Sequence, residues 1–130
     1  MRVGSVVDKD DAVLSNLLLT VGIMPSVSGY LYFKTAVRNY KNLDGNMNEI
    51  CEIIANENSV TKGAVERDMR TALTNAYSRG WLNRLNDILG IEVIMPEEKL
   101  KVKEFVSIIS EFMNNPEFYN RIASKMFRNK

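Results

Sequence analysis

Apolar residues recur at three- and four-residue spacings through almost the whole chain, interrupted at intervals by glycine, proline or a polar cluster. That spacing lines one face of an α-helix and does not fit the two-residue alternation of a half-buried strand. The chain is therefore expected to be all-α, a compact bundle of about six helices plus an extra C-terminal one.

Val13, Leu14, Leu17, Leu18 and Val21 stripe a first helix from about Asp11 to Val21, with Asp8, Asp10 and Asp11 at its positive end. Gly22 and Pro25 end it, and Ser28 is expected to cap a second helix, GYLYFKTAVRNYK, that turns Tyr30, Phe33, Ala36, Val37 and Tyr40 inward. After the turn NLDGN, a third helix is expected from about Met47 to Asn56. A fourth runs from an N-cap at Thr61 to Arg79 and stops at Gly80. WLNRLNDILG is a short fifth helix, IEVIMP a short extended piece, and residues 97–113 a sixth helix with Leu100, Phe105, Ile108, Ile109 and Phe112 inward. The tail EFYNRIASKMFRNK is amphipathic, and its apolar side fits either its own domain or a second copy. The expected organisation is an N-terminal extension over 1–10, a helical domain over 11–113 and a C-terminal helix over 114–130.

With no histidine and one cysteine, Cys51, the chain lacks the commonest general base, the commonest metal ligand and any internal disulfide. No enzyme, metal or cofactor is expected. The longest apolar run, LLLTVGIM, is too short to span a bilayer, and no signal peptide is visible, so a cytoplasmic protein is expected. Net charge is only +1, so a nucleic-acid site requires local placement of charge. Such placement exists: Lys62, Arg67, Arg70, Arg79 and Arg84 outnumber Glu66 and Asp68, residues 85–115 are net acidic, and the tail is basic again.

On a helical wheel the fourth helix places Val65, Met69, Ala72, Leu73 and Ala76 on one side and Gly63, Arg67, Arg70, Thr74 and Ser78 opposite. A shorter helix precedes it across a short turn, the layout of a helix-turn-helix. Arginine forks match the O6 and N7 acceptors of guanine, and small neighbours such as Gly63, Ala64 and Thr71 let a helix backbone approach a groove. Glu66 can accept from a cytosine amino group or pair with Arg70 one turn on. The same residues also suit a solvated face with a salt bridge, and the helix alone leaves both open.

GYLYF, AVERDMR and AYSRG, in this order and spacing, resemble the C-terminal DNA-binding effector domain of the master response regulator of endospore formation, the stage-zero sporulation protein A family. Gly29, Tyr30, Leu31 and Tyr32 match its G-Y-L-Y helix; Val65, Glu66, Arg67 and Arg70 match its recognition helix; Ala76 to Gly80 match that helix's end. The resemblance runs from about Leu14 to Met113 and implies a helical bundle around a helix-turn-helix that binds short duplex DNA boxes, often as tandem dimers. It implies base-reading roles for Glu66, Arg67 and Arg70, with Thr71 beside them, and phosphate contacts for Ser59, Thr61, Lys62 and Arg79. Gly63 and Ala64 stand where the family has Ser-Arg, and Thr71 where it has His, which implies a different target box or lower affinity. The family's receiver domain has no room in 130 residues, and the N-terminal methionine and the basic tail lead us to expect a stand-alone protein. The expected partners are duplex DNA, a second copy on DNA, and the transcription machinery or a regulator partner, with no membrane. An interaction module of the same fold, with a drifted DNA face, is the alternative.

Trp81 is expected as a core or hinge anchor rather than a base-stacking platform, Cys51 as a buried hydrophobe, and PEEKLKVKEF as a helix start with solvated lysines.

Overall fold

The computed structural model describes residues 9–92, 94, 95 and 99–127. Those residues form seven helices: α1 (Lys9–Thr20), α2 (Ser28–Tyr40), α3 (Met47–Asn58), α4 (Lys62–Arg79), α5 (Arg84–Leu89), α6 (Val102–Asn114) and α7 (Pro116–Phe127). No strand occurs among the described residues. α2 is the hub, packing on α4, α6, α3 and α1. Its Phe33 meets Phe105 of α6 edge to face, ring centroids 5.2 Å apart, at the centre of the core.

The apolar stripes read from the sequence are buried, apart from Tyr40, Leu100 and Ile108, which are half-buried. Val13, Leu14, Leu17 and Leu18 of α1, Phe33, Ala36 and Val37 of α2, and Val65, Met69, Ala72, Leu73 and Ala76 of α4 all face inward. Cys51 is buried, and burial pushes its thiol pKa up, with Glu66 adding to the shift, so it is a packing residue and not a nucleophile. Trp81 is half-buried against Gly22, which turns the chain out of α1 with φ +91°, a conformation that strains any side chain, and a Cβ there would press on the indole at 3.0 Å.

Several boundaries differ from expectation. Ser28 lies inside α2; the N-cap position is Val27, without a side-chain cap bond. α3 continues through Asn58 because its exposed end needs no apolar periodicity to stay helical. α6 begins at Val102, not at 97; residues 99–101 are non-helical, and Glu97 and Glu98 lie outside the described residues, as does Asp8. Of the expected extended piece at IEVIMP, Val93 and Pro96 lie outside the described residues, and Ile94 is held by a side chain instead of a strand partner. Ile94 donates its N–H to Asn86 Oδ1 at 3.0 Å, and Asn86 Nδ2 donates back to the Ile94 carbonyl at 2.7 Å.

α7 folds back on its own domain, packing on α6, α5 and α1, with Ile122 and Ala123 buried and Phe118 edge to face with Phe112 at 5.8 Å. Lys125 donates to the Asp87 carbonyl at 2.7 Å and closes α7 on α5.

Two contacts fix the placement of α2. Asp11 of α1 accepts a hydrogen bond from Lys34 at 2.9 Å and pairs with Arg38. The bond from Lys34, reinforced by both positive charges and opposed by burial, holds the Asp11 carboxyl below its ordinary value. At the other face, Gly29 sits so close to α4 that an added Cβ would lie 2.6 Å from Ala72 Cβ and 3.0 Å from the Asp68 carbonyl oxygen.

Gly29→Ala is expected to destabilise the fold by about 1–3 kcal/mol, because the obstacle is helix backbone and a methyl with nowhere to move; chemical denaturation measures it. Because the Asp11 pKa is depressed in the folded state, its contribution is present above the unfolded value and is lost as pH falls through the folded one. Asp11→Asn is therefore expected to lower stability at neutral pH, and the gap to the parent should close below about pH 4 in thermal melts across pH.

Candidate nucleic-acid interface

The connection between α3 and α4 is three residues, 59–61, and each has a defined job. Ser59 ends α3 in the left-handed conformation, φ +55°, and the Val60 N–H reaches back to the Ala55 carbonyl at 3.0 Å. Thr61 then starts α4, its Oγ accepting from the Ala64 N–H at 3.1 Å. Lys62, at the start of α4, donates to Asn48, at the start of α3, and ties the two helices together. Of the expected phosphate contacts, Ser59, Thr61 and Lys62 are thus brought together at one end of α4, each with a structural role already.

Glu66, Arg67, Arg70 and Thr71 are all exposed on α4. No ion pair joins Glu66 to Arg70 among the described residues. Arg67 is 65% exposed, and its Nε lies 3.6 Å from Asp68 Oδ1, an open pair that a partner can replace at little cost. Arg70 has no ion-pair partner among the described residues. Gly63 is exposed, and a Cβ there would meet nothing within 4 Å, so the fold does not require glycine at that place.

Arg79 stands apart. It lies about 18 Å along the axis from Arg67 and about 120° around it. There its guanidinium sits over the Trp81 ring, 5.7 Å from the centroid, and its Cδ lies 3.1 Å from where a Gly22 Cβ would be. The structure does not bring it onto the face of Arg67 and Arg70. Trp81 is covered from its other neighbour as well, with the Arg84 guanidinium 3.8 Å from its centroid.

Two grooves flank the exposed face. One side is lined by Ser26, Val27, Ser28 and Gly29 at the start of α2, next to Thr71 and Asn75. The other side is lined by Lys99, Leu100, Lys101 and Val102 beside Arg70 and Thr74, and continues past Arg70 to Lys103 and Glu66. These three lysines were missing from the expected site. The signal in KLKVK was its two-residue alternation, which marks an extended segment with one charged side.

The family model described as sporulation initiation factor Spo0A C terminal matches residues 14–113. The chain belongs to this family. Spo0A C-terminal domains are helical DNA-binding domains of sporulation control, not an enzyme family, and residues 14–113 match that effector domain. The match takes in α2, α3 and α4 whole and ends inside α6, so α7 lies beyond it. Among the described residues no helix is long and apolar enough to cross a membrane.

Thr61→Ala is expected to cost about 1 kcal/mol through loss of the N-cap, with faster amide exchange confined to the first turn of α4; denaturation and hydrogen exchange check the two parts.

Proposed function

We propose that this protein is a sequence-specific duplex-DNA-binding transcription regulator that inserts α4 into a major groove, in the cytoplasm. The observation that carries the proposal is the exposed face of α4 in a helix-turn-helix of a DNA-binding family, with Arg70 unpaired among the described residues and Arg67 held by one weak open pair. Arg67 and Arg70 are the guanine readers, Glu66 accepts from a cytosine amino group, and Thr71 packs against a thymine methyl or bonds a base edge. Gly63 supports this reading. Nothing in the fold needs glycine there, and it leaves the backbone open to a groove wall. Ser59, Thr61 and Lys62 lie where a phosphate beside the helix start would pass; Arg79 contributes only where DNA extends past the end of α4.

Selection from a random duplex library, followed by fluorescence anisotropy on the enriched sequence, tests this. Arg67→Ala and Arg70→Ala are each expected to cost about 1–3 kcal/mol of binding and to relax one base position. Absence of any enriched sequence would overturn the proposal.

A further inference from the structure

The lysines at the start of α6 stand where the helix itself disfavours them. Lys101 occupies the N-cap position of α6 and Lys103 its first turn, the positive end of the helix dipole, where cations are repelled and Ser, Thr, Asp or Asn is preferred. The cap is supplied by Glu104, which accepts the Lys101 N–H at 2.8 Å, and the Lys101 ammonium takes no part in it. Leu100 and Val102 pack half-buried on the core and turn Lys99, Lys101 and Lys103 to the outside, all three exposed. Lys99 lies 5.7 Å from the Tyr77 ring centroid, and none of the three has an ion-pair partner among the described residues. Lys99 and Lys101 line a groove of about 510 Å³ beside Arg70 on one side of α4, and Lys103 lines the neighbouring groove past Arg70 toward Glu66.

We propose that Lys99, Lys101 and Lys103 form a phosphate-gripping edge of the DNA interface, clasping the backbone on the Arg70 side while α4 lies in the groove. The inference rests on α4 being the DNA reader. A helix in a major groove about 12 Å wide has a phosphate ridge on each side, and the lysines flank α4 on the side of one of them. They have the chemistry such a ridge needs: point charges on long flexible stems, without an ion-pair partner among the described residues and with no base-reading geometry of their own. Their cost at the helix start is offset when a phosphate pairs with them. The edge therefore sets affinity and salt dependence, and Arg67 and Arg70 set the sequence.

The test uses the full chain and the duplex enriched from the library, with anisotropy titrations at several salt concentrations. The triple variant Lys99→Gln/Lys101→Gln/Lys103→Gln is expected to lose about tenfold or more in affinity for every sequence alike. The slope of log K against log salt should shrink by about 2–3, since each lost phosphate contact removes about 0.9. Lys41→Gln, a single charge removal beside the far end of α6, is the comparison for Lys101→Gln, and a circular dichroism melt confirms folding. If the parent selects a sequence and the triple variant keeps its affinity and slope, or if Lys41→Gln loses as much as Lys101→Gln, the lysine edge is wrong while the reading role of α4 stands. If the parent selects nothing, the reading role fails and the lysine edge falls with it.

Discussion

The close seat of Gly29 on α4 is the constraint from which the rest of the architecture follows. A side chain on that residue would collide with Ala72 and the Asp68 carbonyl, so α2 and α4 meet through small atoms and backbone rather than through interleaved side chains. Contact of this kind leaves little room for sliding or rotation, because neither surface has a flexible side chain to give way. α2 also carries Phe33 against Phe105, and so the same helix that holds α4 holds α6. The exposed face of α4 and the lysine-bearing start of α6 are therefore fixed relative to one another through one hub.

Charge is divided in the same economical way. Lys34, Arg38 and Asp11 form a compact cluster that joins α1 to α2, and Lys62 is occupied by Asn48 at the start of α3. Arg79 and Arg84 are spent on Trp81. Among the described residues, Arg70, the weakly held Arg67 and Lys99, Lys101 and Lys103 lack strong internal partners and lie together on and beside α4, with Lys41 apart from them. A net charge of +1 conceals this, because the acids that balance it are spread over the whole chain.

The helices and their buried faces were legible because three- and four-residue spacing is a local property of the chain. The two faces of α4 were legible for the same reason, since one wheel separates Val65, Met69 and Ala76 from Arg67 and Arg70. What escaped was set by contacts distant in sequence. Arg79 reads as one more basic residue on α4 until Gly22 and Trp81 are found beneath it, from a turn some 57 residues earlier and a chain reversal two residues later. The start of α6 was misplaced because Leu100 fits a helical stripe and an extended alternation equally well. The Asn86 bracket around Ile94 has no sequence pattern at all, since any nearby amide side chain has the same donors and acceptor.

The acids on α4 bear on how such a surface would discriminate. Glu66 and Asp68 sit beside the arginines, and Asp68 already holds Arg67 loosely at 3.6 Å. Toward a phosphate backbone these carboxylates repel, which lowers the sequence-independent attraction that a purely basic face would have. Toward a base edge they cost less, because Glu66 then gains an acceptor role with cytosine and Arg67 exchanges a weak exposed pair for a bidentate contact with guanine. Acids interleaved with arginines therefore widen the gap between right and wrong sequences at the expense of overall affinity. That lost affinity is of the kind a separate cluster of lysines, outside the reading face, is suited to restore without reading any base.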